Sequence, residues 1–306
     1  MTEHPTSARI PTLQRITARE SVIGTDTVIR RALPSAKLRT VGAWCFLDHA
    51  GPVQFAPGHG MHVGPHPHIG LQTFTWMIDG EVLHRDSLGC EQLIRPGQVN
   101  LMTAGCGIVH SEDTPIDGGR LHAAQLWIAL PDSQRHREPC FRNYAELPAL
   151  DCGGLRVTVL AGTALGMTSP VQVYTPLVGM DLLATRAGTD ELPLDPSFEH
   201  AALVLRGQAV IAGESLVPGE LLYLGRWRDT LVLHSEADTQ ILLLGGEPFT
   251  ETPLLWWNFV ARTQDEIEQA LADWNQGSPR FAPVPGAVTA PIDAPSMTGV
   301  RLKSGT

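Results

Sequence analysis

Two pairs of ligand-type residues, each spaced by a single residue, constrain this chain more than any other feature. The first is His66-Pro-His68, within Gly60-Met-His-Val-Gly-Pro-His66-Pro-His68-Ile-Gly-Leu-Gln72. The second is His110-Ser-Glu112, at the end of Arg95-Pro-Gly-Gln-Val-Asn-Leu-Met-Thr-Ala-Gly-Cys-Gly-Ile-Val-His110-Ser-Glu112. Side chains alternate faces along a strand, so residues i and i+2 project together. Each pair is suited to aim two ligands at one point from extended backbone. Imidazole nitrogens and a carboxylate suit divalent first-row metals. His-X-His alone is a weak pattern; paired with His-X-Glu at the far end of a Gly- and Pro-punctuated strand region, it is a strong one. A metal centre at His66, His68, His110 and Glu112 is the expectation.

The same residues carry a family resemblance. Gly-X5-His-X-His followed by Gly80 resembles the first cupin motif. The wider stretch, with Pro-His-Pro-His, His84-Arg-Asp and Met-Thr-Ala-Gly-Cys-Gly-Ile-Val-His-Ser-Glu, resembles the pirin family, most densely from about residue 40 to 130. That resemblance implies an all-β chain of two consecutive cupin barrels (double-stranded β-helix, or jelly-roll). It also implies one divalent metal in the N-terminal barrel, with His66, His68, His110 and Glu112 as ligands. Iron, as Fe(II), is the metal it favours, with Mn, Co, Ni, Cu or Zn as alternatives. Two activities of different class follow from the resemblance. Some pirins are quercetin 2,3-dioxygenases acting on flavonols with O2. Others are non-enzymatic, iron-dependent regulators that dock on a partner protein or transcription factor.

From His66 to Ile78 the even positions carry His66, His68, Gln72, Phe74, Trp76 and Ile78, and the odd ones Ile69, Leu71, Thr73, Thr75 and Met77. If the even face lines a barrel, the histidines sit at its mouth with the aromatics below. Apolar residues on both faces imply a covered outer side, as in a jelly roll. Asp79-Gly80 is a hairpin signal, strand-like runs follow at 81–86 and 91–95, and Pro96-Gly97 turns the chain again. Residues 52–65 read as a loop in which His59 and His62 are either further metal ligands or, the plainer reading, exposed or placed beside the metal.

A second copy of this pattern follows. Ala202-Leu-Val-Leu-Arg-Gly207 and Leu216-Val-Pro218-Gly219 echo Trp76-Met-Ile-Asp-Gly80 and Leu93-Ile-Arg-Pro96-Gly97, an internal repeat that supports two barrels independently of any family. The ligands are not repeated. The offsets of the two histidine-bearing pairs fall on Pro193, Asp195, Val232 and His234, and His234 reads as an ordinary strand-end histidine. The expected division is 1–135 for the metal-binding barrel, 136–155 for a connection, 156–262 for a barrel without ligands, and 263–306 for a helix and tail. Thr263-Gln-Asp-Glu266 is a capping box, Ile267, Ala270, Leu271 and Trp274 form one apolar stripe, and Gly277 and Pro279 stop the helix. Residues 278–306 read as a loosely attached tail.

At 306 residues, with 43% hydrophobic and 18% charged side chains, the chain can build two ordinary cores. Its formal net charge of −10 argues against direct nucleic-acid binding. The five cysteines, Cys45, Cys90, Cys106, Cys140 and Cys152, lack the pairing of a disulfide framework. No signal-peptide pattern opens the chain and no apolar run is long enough for a membrane. A cytoplasmic protein is the expectation.

Three imidazoles and one carboxylate leave two positions open on an octahedral metal, unlike a filled tetrahedral zinc site. Open positions suit a small aromatic substrate and O2. The blander alternatives are a stabilising or vestigial metal, or histidines bonded to backbone groups. Gln72 stands where many cupins have Glu, and an amide cannot act as a base. That leaves Glu112 as the base within the motif, with His49, His62 and His84 as substitutes. Ile69 stands where some pirins have Arg, so a positive charge at the mouth is missing. His84, Arg85 and Asp86 either line the pocket or form a polar network, the latter favoured. Cys106 reads as a small buried residue rather than a redox group. Trp256, Trp257 and Asn258 replace a family Gly-Pro-Phe-Val-type turn and either pack on a neighbour or fill an inter-barrel groove.

Overall fold

The computed structural model describes residues 12–24, 27–115 and 118–302. The first residues, where the sequence shows no signal-peptide pattern, lie outside that range. Strands dominate, and they form two barrels with one short helix, Gln264–Asn275, near the C-terminus.

In the first barrel a seven-stranded sheet runs in the order Cys140–Tyr144, Val99–Thr103, Leu71–Gly80, Arg120–Ala129, Trp44–Gln54, Thr27–Leu33 and Arg19–Ile23. It packs on a four-stranded sheet of His62–His68, Ile108–Asp113, Val82–Asp86 and Glu91–Ile94. The second barrel repeats the plan. Its seven-stranded sheet includes Glu199–Arg206, Gln240–Gly246 and Leu177–Ala184, and its four-stranded sheet is centred on Thr230–Ser235. The strand Gln14–Thr17, at the start of the chain, crosses over to pair with Glu220–Gly225 of the second barrel. Between residues 136 and 155 the chain gives Cys140–Tyr144 to the first barrel and Ala149–Cys152 to the second.

The internal repeat is visible at its turns. Gly80 and Gly207 both sit at positive φ, 85° and 76°, where a hairpin needs a residue without a Cβ. At Gly80 a Cβ would lie 1.8 Å from the Arg120 carbonyl oxygen. The barrels meet through their larger sheets. Trp44, Phe74, Trp76 and Leu126 of the first share one buried core with Leu160, Leu177, Leu203 and Leu244 of the second. Large side chains of this kind contribute roughly 1.5–3 kcal/mol each. Trp44 Nε1–H donates across the junction to the carbonyls of Val178 and Gly245, both at 3.2 Å. The second barrel's own core is aliphatic, with Leu182, Val204, Leu222, Leu233 and Leu243. His234 is exposed and bonds Thr189.

Four details differ from the expectation. Residues 66–78 are two strands in different sheets, because Gly70, at φ 68°, turns the chain tightly against Val260, whose carbonyl oxygen lies 2.0 Å from where a Cβ would stand. The even face therefore does not run through. Phe74 and Trp76 point into the inter-barrel core, while Thr75 and Met77 line the interior. The 52–65 loop is shorter at both ends, since one strand reaches Gln54 and the next begins at His62. The tail is docked along its described length: Phe281 and Val284 are buried, and Ile292 N–H donates to Pro65 O at 2.8 Å. Cys106 is half-buried rather than enclosed. The helix follows the sequence, with both halves of its capping box formed and Ile267, Ala270 and Leu271 buried.

Candidate metal centre

The His62–His68 strand lies antiparallel to Ile108–Asp113, with His66 opposite His110 and His68 opposite Ile108. Alternation then puts all three imidazoles on the interior face. Their ligand atoms fall within 4.8 Å of one another, and His68 Nε2 stands 3.1 Å from His110 Nε2. Among the described residues this is the one such group of three or more His, Cys, Asp or Glu side chains.

Each ring is turned by an acceptor at its other nitrogen. His66 Nδ1–H meets Gly64 O at 2.8 Å, and His68 Nδ1–H meets Asn258 O at 2.9 Å. His110 Nδ1 faces His84 Nδ1 at 3.4 Å, and His84 Nε2 meets Asp86 Oδ2 at 3.0 Å. Asp86 Oδ1 already accepts the backbone N–H groups of Leu88 and Cys90. The carboxylate makes His84 Nε2 the donor, so His84 Nδ1 accepts from His110 Nδ1–H. All three histidines therefore present an Nε2 lone pair to one point, the second-layer arrangement that metal sites use. Burial lowers the pKa of His66 to about 4 and pushes those of His68 and His110 well below the usual range, with neighbouring histidines adding to the latter two. At neutral pH the rings are uncharged and fit a divalent metal.

Glu112 stands apart from the triad. An extra residue in the histidine strand makes Glu112 pair with Val63, and its carboxylate lies outside the close group. It still lines the cavity, half-buried, and burial, helped by Asp113, raises its pKa to about 7.

The triad opens on a cavity of about 630 Å³. Phe46 and Trp127 stack at 3.9 Å on one wall, and Trp127 meets His68 edge-on at 5.2 Å. The Arg31 guanidinium lies over Phe46 at 4.4 Å. The chain's ends complete the walls through Val22–Gly24 and the segment of Thr289, Ala290 and Ile292.

Residues 26–128 match the Pirin family and residues 179–282 the Pirin C-terminal cupin domain. A pirin-like protein of Caulobacter vibrioides is 40% identical over 81% of this chain and 88% of its own. This chain belongs to the pirin family. A Pseudomonas aeruginosa protein provisionally named a quercetin 2,3-dioxygenase is 52% identical over 88% of this chain and 85% of its own. The crystal structure of a quercetin 2,3-dioxygenase from Acinetobacter baumannii superposes with a TM-score of 0.92 at 50% identity, covering 95% of this chain and 97% of that one.

The positions where this pirin departs from its family pattern fall away from the triad's open side, with one exception. Gln72 is turned out of the cavity and donates to Thr103 Oγ1 and Gln172 O. Ile69 is buried with Val109, Phe259 and Phe281 under the C-terminal helix, so it leaves no gap in charge at the mouth. The exception is the Trp257–Asn258 turn, which lines the cavity and orients His68 through a backbone carbonyl. It lies at the first barrel's cavity, not in the inter-barrel groove. Of the substitute bases, His49 faces away and pairs with His122, Nε2 to Nε2 at 2.9 Å. His84 stands behind His110, stacked on Phe141, in the polar network the sequence favoured. His62 does line the cavity, held by Asp113.

Proposed function

We propose that this chain is an O2-dependent oxidoreductase of the quercetin 2,3-dioxygenase type, acting on flavonol-like aromatic substrates. His66, His68, His110 and Glu112 are proposed as ligands of a single metal ion, iron(II) in this reading. The observation that carries it is the triad of neutral imidazoles, each pre-turned by an acceptor, opening on an aromatic-walled cavity. The A. baumannii structure's name points the same way.

A bound metal would supply a Lewis-acidic centre where a substrate oxygen and O2 can meet. The chain's residues do the rest. Trp127, backed by Phe46, offers an aromatic surface to a ring in the cavity, a contact worth roughly 0.5–1.5 kcal/mol beyond area burial. The apolar walls exclude water, which strengthens each polar contact inside. Glu112, on the cavity wall beside the triad, takes the proton from the substrate hydroxyl on one carboxylate oxygen.

The test is quercetin consumption and O2 uptake by protein loaded with graded amounts of iron. Turnover proportional to bound iron is expected. No turnover across a catechol and flavonol screen, together with metal-dependent capture of a specific protein partner, would move the reading to a regulator.

A further inference from the structure

Next to the Phe46–Trp127 stack a polar row crosses the large sheet of the first barrel. Arg31 pairs with Asp48, Asp48 with Gln125 and Gln125 with Thr75, so four adjacent strands place these side chains side by side. All four line the cavity. On their own strands, Phe46 and Trp127 lie two residues away, about 7 Å at ~3.4 Å per residue. Ala50 and Ala123 lie two residues away in the other direction. The interior is therefore layered: histidines with the aromatic stack, then the polar row, then an apolar end.

The row's hydrogen bonds are unevenly used. Arg31 holds both oxygens of Asp48 at 2.7 Å, which satisfies that carboxylate. Thr75 Oγ1 donates to Gln125 Oε1 at 2.6 Å, which fixes the amide's orientation. Gln125 Nε2 then has no acceptor among the described residues, and Gln125, half-buried, lines the cavity where a ligand can supply one. A core serving only for packing is cheaper with apolar residues here, because polar groups lose hydration on burial.

We propose that Gln125, oriented by Thr75, is a specificity-determining residue. It donates a hydrogen bond to an oxygen at the far end of a flat ligand whose near end reaches the histidines. The ligand class is a polyoxygenated aromatic with oxygens on both outer rings and a planar middle that packs against Trp127. This rests on the flavonol reading above and adds to it which ligand oxygen the protein reads.

The test is anaerobic binding to iron-loaded protein, followed by quenching of tryptophan fluorescence, since Trp127 and Trp257 line the cavity. Three probes are compared: a flavonol hydroxylated on both outer rings, and two analogues lacking the hydroxyls of one ring or the other. One deletion should weaken wild-type binding about tenfold, the scale of one net hydrogen bond. Gln125→Leu and Thr75→Val should each erase that difference by weakening only the probes that keep the hydroxyls of that ring. Thr75→Val, nearly isosteric, carries the comparison if Gln125→Leu does not fold. Equal binding of the three probes, or discrimination that survives both substitutions, overturns the role of Gln125 and leaves the flavonol reading in place. Discrimination that depends on Gln125 without any flavonol oxidation keeps the subsite and removes the oxygenase reading. Failure of all three probes to bind removes both.

Discussion

At the scale of single residues, the centre depends on which nitrogen of each histidine carries the proton. Asp86 decides this for His110 through His84, two bonds away. In Asp86→Asn the amide can keep accepting from Leu88 and Cys90 while presenting N–H to His84 Nε2. His84 Nδ1 would then carry the proton and oppose His110 Nδ1–H. Metal affinity should fall by about 10–100-fold with the circular dichroism spectrum unchanged; full affinity in a metal titration would remove Asp86 from the relay. Glu112→Gln tests the proposed base. The amide keeps the shape and loses the proton acceptor, so turnover per bound iron should fall by about 10²–10⁴, well beyond any loss of occupancy. Unchanged turnover per iron would leave Glu112 a ligand at most and direct attention to His62. The three histidines were legible in the sequence because i, i+2 spacing translates directly into a shared face. Glu112 obeys the same spacing on a strand that stays in register with Val82–Asp86, yet an extra residue between Val63 and His66 shifts the histidine strand against it, and its carboxylate lies outside the close group. A bulge in one strand leaves no mark in a local pattern.

At the scale of elements, the groups that orient the histidines come in part from segments far away in sequence. The Leu254–Trp256 and Phe259–Ala261 strands form a hairpin whose turn gives His68 its acceptor. Val260 N–H in turn donates to Ile69 O. Gly70 is the point where this hairpin and the histidine strand touch. Gly70→Ala forces a Cβ against the Val260 carbonyl at a positive φ, and should cost about 1–3 kcal/mol. It should also weaken metal binding by displacing Asn258 from His68. Chemical denaturation and metal titration on the same sample check both effects, and a variant with wild-type values in each would show that the contact relaxes freely. The hairpin was unreadable as part of the site because its contribution is a backbone carbonyl, which any residue at 258 supplies. The break at Gly70 was missed for a related reason: apolar alternation continues on both sides, so periodicity runs through the turn. The helix was legible, since a capping box and a 3.6-residue apolar stripe are local signals.

At the scale of the whole molecule, the two barrels are fused through an apolar junction that encloses one carboxylate. Asp181 of the second barrel accepts from Trp76 Nε1 of the first at 3.2 Å and from Gln240 Nε2 at 2.9 Å. Burial outweighs these bonds and raises its pKa from 3.8 to about 6. The folded chain thus holds a proton that the unfolded chain releases, so this residue's contribution is intact below about pH 4 and is lost as the pH rises through about 6. Asp181→Asn removes the dependence. Its stability relative to wild type should improve by on the order of 3 kcal/mol between pH 4 and pH 7, read from urea unfolding. A constant difference over that range would mean that the carboxyl is not raised.

The two-barrel plan itself was visible in the repeated turns at Gly80 and Gly207, and the one close histidine group among the described residues lies in the first copy, where the second has Pro193, Asp195 and Val232. What the pattern could not convey is that the chain's ends cross over: Gln14–Thr17 joins the second barrel, and the tail packs back along the metal-site strand at Pro65. The proposed centre is one metal ion per chain, held in the first barrel by His66, His68 and His110 with Glu112. Anaerobic titration of the metal-free full chain with iron(II), monitored by calorimetry, tests this most directly. One tight ion per chain is predicted, with binding abolished in the His66→Ala, His68→Ala double variant. A second tight ion, or tight binding that survives the double substitution, would contradict it.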